Sequence, residues 1–195
     1  MAKLTRDGLM TLEAYSRART AFRAEVMAHK RNRHVALGNH LTLIFEDELT
    51  MRYQVQEMLR AEKIFEEAGI QEELDTYNPL VPDGSNWKAT MMIEYEDIDE
   101  RRRMLTQLIG IEDRVWVQVA GFERVYAIAD EDMERSTGQK TSAVHFLRFE
   151  LGREMSLALK QGAGLSMGVD HPNYQATVAP VPQAARDSLL NDLQV

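Results

Sequence analysis

The chain has 195 residues, of which 44% are hydrophobic, so it is long enough to fold as one domain around a sizeable core. It contains no cysteine, which excludes disulfides, cysteine-bound iron–sulfur clusters, thiolate zinc sites and cysteine nucleophiles, and which fits a reducing compartment. The sequence also lacks a signal-peptide pattern and any run approaching the ~20 apolar residues of a membrane span. We therefore expect a cytoplasmic protein that does not enter a membrane.

The charge is distributed unevenly along the chain. Residues 1–33 carry eight basic and three acidic side chains, whereas the whole chain has a net charge of −8. Apolar residues at helical spacing (Ala18, Phe22 and Val26) predict a helix over 16–30. This basic segment either packs against the acidic body of the same chain or binds an acidic partner or nucleic acid. The lack of interleaved aromatic residues and the acidic body argue against nucleic acid.

Residues 34–45 predict a β-hairpin with a two-residue turn at Gly38-Asn39, because both residues tolerate positive φ. A helix is predicted over 47–65, with an apolar stripe that continues to Phe65. Glu62 falls inside this stripe. A carboxylate in that position pairs with a cation, binds a metal, or lies exposed because the helix bends or ends early.

A second helix is predicted over 67–76, and an irregular loop over 77–87 follows it. Long, proline-containing loops with an aromatic residue often contact ligands or other subunits. We predict contact with a ligand or partner here; the alternative is a packed crossover whose tryptophan fills the core. The candidate contact residues are Tyr77, Asn78, Asp83, Ser85, Asn86 and Trp87.

The second half of the chain alternates strands and helices. In chain order, the pattern predicts strand 89–95, helix 98–109, strands 115–119, 124–129 and 141–151, helix 153–160, strand 165–169 and a helix after 182. Because turns or single helices join these strands, we expect an α+β fold with a mostly antiparallel sheet and helices packed against it. We expect one domain over 1–195, in which segment 1–33 packs on an α+β core.

Two histidines interrupt apolar strand faces. His145 alternates with Leu147 and Phe149, and His171 continues the face of the strand over 165–169. Such a histidine is a hydrogen-bonded core residue, a metal ligand or an acid–base group. For His171 a simple strand exit before Pro172 is the other interpretation.

If the two histidine-bearing strands are neighbours, His145 and His171 could meet. With Glu62 they would form a site of two histidines and one carboxylate, suited to iron, manganese or zinc. The spacing by itself is not diagnostic, because no H-E-x-x-H motif is present. Motifs for nucleotide binding and for a nucleophile elbow are also absent from the sequence.

The sequence resembles a bacterial family known only as a domain of unknown function. The resemblance rests on segments spread over nearly the whole chain: 4–7, 40–43, 54–60, 77–85, 110–115, 141–147 and 168–172. Genes of that family often neighbour those of a rubrerythrin and of an iron–sulfur oxidoreductase of the heterodisulfide-reductase type. The resemblance therefore implies a link to redox chemistry or peroxide defence, and it implies no activity and no catalytic residues.

Three functions follow as hypotheses. The first is an accessory or binding protein beside a rubrerythrin-like system, with rubrerythrin or the iron–sulfur oxidoreductase as partner. The second is a metal-dependent enzyme that uses the two histidines and Glu62. The third is nucleic-acid binding through the basic N-terminal segment. The sequence leaves open whether the protein acts as an enzyme and whether it forms a homo-oligomer.

Overall fold

A computed structural model describes residues 3–195, in which six α-helices alternate with short antiparallel strands. The helices are α1 (Leu12–Lys30), α2 (Glu48–Glu62), α3 (Glu67–Tyr77), α4 (Ile98–Gln107), α5 (Arg153–Lys160) and α6 (Gln183–Leu190). The strands are β1 (His34–Leu37), β2 (Leu41–Glu46), β3 (Asn86–Ile93), β4 (Val115–Val119), β5 (Val125–Tyr126), β6 (Ile128–Ala129), β7 (Val144–Glu150), β8 (Leu165–His171) and β9 (Tyr174–Val178). Within the described part of the chain, no helix combines the length and apolar character needed to cross a bilayer.

The strands form two antiparallel sheets. Sheet A has the order β1-β2-β3-β7-β6, and sheet B has the order β5-β4-β8-β9. The predicted α+β class with antiparallel pairing is confirmed. The pattern did not predict the division into two sheets, because alternation shows which face of a strand is buried but not which sheet the strand joins.

One hydrophobic core lies between the inward faces of the two sheets. Sheet A contributes alternate residues of β2, β3 and β7, and sheet B contributes those of β4 and β8. Trp87 is the largest of the fully buried side chains, and its indole packs edge-on against Phe45 with ring centroids 6.1 Å apart. Helices α1, α2 and α3 form two smaller clusters of their own.

The hairpin is present, but its predicted register is wrong by one residue. Leu37 pairs with Leu41, so the connecting loop has three residues rather than two. The hydroxyl of Tyr174, on β9, donates to Leu37 O at 2.6 Å and accepts from His40 N at 3.0 Å. The loop is therefore held by a residue distant in sequence, which a local turn pattern does not reveal.

Helix α2 ends earlier than its apolar stripe predicts. Lys63 adopts a left-handed conformation (φ 56°) and caps the helix, and Ile64 N donates to Leu59 O. Because the chain turns away here, Glu62 is exposed and Phe65 is 72% exposed. Of the alternatives for Glu62, the structure therefore has the one in which the helix ends early and the carboxylate is exposed.

The segment predicted as one strand over 124–129 crosses between the sheets. Its first half, β5, pairs with β4 in sheet B, and its second half, β6, pairs with β7 in sheet A. Ala127 lies at the crossing, and its N–H donates to Val115 O. This crossing delivers the following residue, Asp130, to the neighbourhood of β7.

Much of the basic charge of the N-terminal segment is neutralised by acidic residues of the same chain. Arg19 makes two hydrogen bonds of 2.7 Å to the carboxylate of Glu57 on α2, which lowers the pKa of Glu57 to about 2. Arg17 pairs with Glu13, and Arg6 lies 3.5 Å from Glu67. These contacts favour the interpretation in which the segment packs against its own acidic body.

Arg33 is the most deeply buried of the basic side chains described, at 1% exposure. Its guanidinium donates to Phe45 O at 2.9 Å and to Glu46 O at 3.1 Å, and it pairs with both carboxylate oxygens of Asp192 at 3.2 and 2.5 Å. The carboxylate of Asp47 lies 3.4 Å away. Arg33 therefore joins the end of α1 to β2 and to the C-terminal segment.

Asp192 gives this network a pH dependence. Burial raises the pKa of Asp192 to about 6, against the opposing effect of Arg33 and with the charge of Asp47 adding to the rise. A carboxyl group whose pKa is raised by folding stabilises the fold fully below its ordinary pKa near 4, and this contribution is lost as the pH rises through 6. We expect the stability of the wild type relative to Asp192→Asn to fall by about 2 kcal/mol between pH 4 and pH 7. Urea denaturation of both proteins across this range measures it, and a constant or rising difference would contradict the assignment.

Candidate metal centre

His145 lies at the centre of a buried polar cluster between the sheets. It points inward from β7 with 0% exposure, as the alternation with Leu147 and Phe149 predicts. A buried imidazole requires partners at both nitrogens, and each nitrogen has them. They come from the segment before β7 and from the segment that follows β6.

The Nδ1 side of the ring faces Asp130. Asp130 Oδ2 lies 2.6 Å from His145 Nδ1, so a carboxylate at this position accepts the Nδ1 proton. Its other oxygen accepts from Phe146 N at 2.9 Å and from Arg135 Nη1 at 3.3 Å. Asp130 has a left-handed backbone (φ 51°), which aspartate tolerates better than most residues. These contacts fix the tautomer and the orientation of the ring.

The polar partners described for His145 Nε2 are all oxygen atoms. Thr141 Oγ1 lies 2.9 Å away, Ser142 O 3.1 Å away, and Glu112 Oε2 4.0 Å away. Ser136 Oγ donates to the other oxygen of Glu112 and lies 2.9 Å from Thr141 Oγ1. A hydroxyl pair therefore bridges the glutamate and the imidazole.

Glu112, Asp130 and His145 each place a possible ligand atom within 4.8 Å of the other two. Only Arg135 supplies a fixed positive charge by a described contact with this group, and it contacts Asp130. The neighbouring Asp113 reflects the excess negative charge: its pKa is raised, first by partial burial and then by the charges of Glu112 and Asp130. The described contacts thus give the two carboxylates one fixed positive charge.

His171 does not join this cluster. It lies on β8 in sheet B, where Nε2 donates to Ile109 O at 3.1 Å and Nδ1 accepts from Asn173 N at 3.2 Å. Both nitrogens are occupied by main-chain groups, so no lone pair is left for a metal. Strand β8 ends at His171, and residues 172–173 form the turn into β9, which agrees with the interpretation of a strand exit before Pro172.

The structure does not assemble the predicted site of His145, His171 and Glu62. The two histidines belong to different sheets, and Glu62 is exposed at the end of α2. Within residues 3–195, the carboxylates grouped with His145 are Glu112 and Asp130. The prediction of one shared site is corrected because it required β7 and β8 to be neighbours.

The loop over 77–87 uses most of its polar groups internally. Asn78 accepts from Leu4 N at 2.7 Å and donates to Leu4 O, and Asp83 accepts from the backbone and hydroxyl of Ser85. Asn86 is buried and donates to Glu150, while the fully buried Trp87 donates from Nε1 to Leu189 O at 3.0 Å. For Asn86 and Trp87 the contact prediction is corrected, since their side chains are inside the protein.

Tyr77 remains partly exposed and accepts a 3.4 Å hydrogen bond from Gln54. It lines a surface cavity together with Pro79 and Leu80. Tyr77 and Asn78 are partly exposed, and Asp83 and Ser85 are exposed, so these four residues of the predicted contact set reach the surface.

Sequence reasoning found His145 but missed its partners. Asp130 directly follows the predicted strand 124–129, and polar residues at strand ends are frequent site residues, so a weak signal was present. Glu112 and Thr141 lie within segments that carry the family resemblance, but nothing local distinguishes them from solvated residues. Their convergence depends on the crossing between the two sheets.

The fold and the cluster define a two-sheet α+β protein with a buried histidine–carboxylate centre. The chain belongs to the family described as protein of unknown function (DUF3501), whose model matches residues 3–193. It is also similar to a solved structure described as a novel protein of unknown function from Burkholderia pseudomallei K96243, at 58% identity and a TM-score of 0.93. That match covers 99% of this chain and 100% of the other. A comparison with curated proteins gives no match.

Proposed function

We propose that this protein binds a divalent transition metal at His145 Nε2, with the carboxylate of Glu112 as a second ligand. The observation that carries the proposal is the fully buried imidazole whose described Nε2 partners are all oxygen atoms and which is grouped with two carboxylates. In this arrangement Asp130 holds the Nδ1 proton and orients the ring, as carboxylates commonly do for metal-bound histidines. The hydroxyls of Ser136 and Thr141 supply further oxygen atoms.

Electrostatics support a cation at this position. Two carboxylates approach one imidazole in a largely buried site, and Glu112 receives hydrogen bonds from hydroxyl groups rather than from a cation. Burial of an unpaired carboxylate costs several kcal/mol, which a bound dication offsets. A metal and a proton would compete for the lone pair of Nε2, so we expect the metal affinity to fall at low pH.

The donor set favours particular metals. One imidazole with carboxylate and hydroxyl oxygens suits Mn²⁺, Fe²⁺ or Zn²⁺, whereas Ca²⁺ prefers oxygen atoms alone and Cu⁺ prefers sulfur. A metal of this kind would supply Lewis acidity and, for iron or manganese, redox chemistry. The enclosure of His145 and Thr141 favours small reactants such as water over polymeric substrates.

The test is metal content and metal-dependent stability. We expect untagged protein, stripped with a chelator and reloaded with Mn²⁺, Fe²⁺ or Zn²⁺, to retain about one equivalent of one of them. A free metal concentration of about a hundred times the Kd would raise the midpoint of thermal unfolding by several degrees. Plasma mass spectrometry and thermal denaturation measure these two effects.

Variants of the proposed ligands test the assignment, and a variant of His171 is the matched control. We expect His145→Gln and Glu112→Gln to abolish metal retention, and Asp130→Asn to weaken affinity by about 10- to 100-fold. His171→Gln should retain the metal, because both nitrogens of His171 are bonded to main chain. If wild-type protein retains less than about a tenth of an equivalent of metal and shows no thermal shift, the metal proposal fails. The cluster would then be a group of ion pairs that holds the segment after β6 against β7.

The protein partner is a part of the proposal that does not depend on the metal site. The family resemblance supports a role beside a rubrerythrin-like redox system, with rubrerythrin or an iron–sulfur oxidoreductase as the protein contacted. The alternative of nucleic-acid binding loses support, because Arg6, Arg17, Arg19 and Arg33 all pair with carboxylates of the same chain.

A further inference from the structure

A cavity of about 350 Å³ opens on the outer face of sheet A. The end of α3 forms one wall with Tyr77 and Leu80, and the segment after β6 forms another with Met133. Lys88 and Phe146, from β3 and β7, lie on its floor. The volume lies at the lower end of the range of about 300–1,000 Å³ found for small-molecule sites.

Lys88 contributes a cation to the lining of this cavity. Its side chain is half-buried, and burial followed by the positive charge of Arg148 lowers its pKa, although the charges of Glu131, Asp83 and Glu150 act in the opposite direction. Among the described residues, none accepts a hydrogen bond from its ammonium or forms an ion pair with it. A half-buried ammonium without a partner is unfavourable, so an anion placed here would be stabilised.

The other cations lining the cavity are already neutralised. Arg148 makes two hydrogen bonds of 2.7 Å to Glu131 and also pairs with Glu150. Arg135 makes two hydrogen bonds to Asp132, at 2.5 and 2.6 Å. The cavity therefore offers one ammonium group without a direct carboxylate contact among the described residues, on largely apolar walls.

We propose that this cavity binds a small organic monocarboxylate with an apolar body, whose carboxylate pairs with Lys88. The rings of Tyr77 and Phe146 and the side chains of Leu80 and Met133 would contact the apolar body. Met133 is 61% exposed in the free protein and would be partly covered by such a ligand.

The charges around the cavity favour a carboxylate over a phosphate. Phosphate recognition normally uses several charge-assisted donors, and here both arginines are committed to carboxylates. Glu131 and Asp132 also lie at the cavity and would repel a dianion. A monoanion needs only the single ammonium of Lys88.

This site does not rest on the proposed metal. Phe146 and Lys88 point to the outer face of sheet A, whereas His145 points to the inner face. Arg135 and Phe146 connect the two sites: Arg135 lines the cavity and lies 3.3 Å from Asp130, and the backbone N–H of Phe146, which also lines the cavity, donates to Asp130 at 2.9 Å. A protein without metal can therefore still bind the carboxylate, and the two proposals fail separately.

The experiment uses phenylacetate and hexanoate as probes of the full-length protein, with phenylacetamide as the neutral match of the first. We expect saturable binding of at least one acid with a Kd below about 1 mM, and binding of the amide at least about tenfold weaker. Titration calorimetry and ligand-detected NMR measure both. Lys88→Met should weaken binding of the acid by about tenfold or more, and Lys88→Arg should retain most of it.

Lys160→Met is the matched control, because Lys160 is exposed on α5 and away from the cavity, and it should bind as wild type does. Thermal denaturation of each variant establishes that it folds. No saturable binding of either acid to wild type, equal binding to Lys88→Met, or equal binding of the amide would each overturn the proposal. Displacement of the acid by inorganic phosphate at lower concentration would overturn the choice of a monocarboxylate.

Discussion

Replacing Trp87 with alanine is expected to lower the free energy of unfolding by about 3–5 kcal/mol. The indole is fully buried between the sheets, it packs against Phe45, and its N–H donates to Leu189 O. The substitution removes the apolar contacts and leaves a cavity. It also leaves the carbonyl group of Leu189 on α6 without this hydrogen-bond donor. Urea denaturation followed by circular dichroism measures the loss.

The control for this prediction comes from the same loop. Ser85 is exposed, and we expect Ser85→Ala to change stability by less than about 1 kcal/mol. If Trp87→Ala cost no more than Ser85→Ala, the tryptophan would not be a core residue, and the original prediction of a contact residue would regain support.

Replacing Arg33 with methionine is expected to cost about 3–5 kcal/mol, because it leaves the carboxylate of Asp192 buried without its partner. It also removes the donors to Phe45 O and Glu46 O. The loss measures the penalty of a stranded charge rather than the net strength of the pair. Urea denaturation at pH 7 is the measurement.

Two further variants separate this mechanism from a general loss of packing. The double variant Arg33→Met with Asp192→Leu should recover part of the stability, since it removes both charges together. Arg31→Met, at an exposed neighbouring position, should stay within about 0.5 kcal/mol of wild type. A double variant no more stable than Arg33→Met would show that the buried charge of Asp192 is not the cause.

Local sequence patterns predicted most elements because each depends on a short-range period. Alternation predicted β4 with its observed ends, and helical spacing predicted α2 and α4, whose ends differ from the prediction by a few residues. The end of α2 was missed because Lys63 adopts a left-handed cap without a glycine, so no local signal marks the end of the helix. Strand β9 was missed because its half-buried, mixed pattern resembles that of a polar loop.

For the candidate site, too, the sequence predicted the burial of one residue but not the contacts between residues. His145 could be singled out because a polar residue on an apolar strand face must find partners. Its partners could not be identified, since Glu112 and Asp130 approach it from segments 33 and 15 residues earlier in the chain. The prediction that His145 and His171 share one site was wrong for the same reason, because alternation does not say which strands are neighbours.

The amino-acid sequence by itself determined the α+β class, the positions of most helices and strands, and the burial of His145, because these follow from the spacing of apolar residues along a regular backbone. The tertiary structure alone decided the division into two sheets, the crossing at Ala127 and the assembly of Glu112, Asp130 and His145. It also decided that Lys88 lines a cavity without a direct carboxylate contact among the described residues. Each of these depends on contacts between residues far apart in the chain. Such contacts are selected by packing and charge in three dimensions and leave no periodic trace in the sequence.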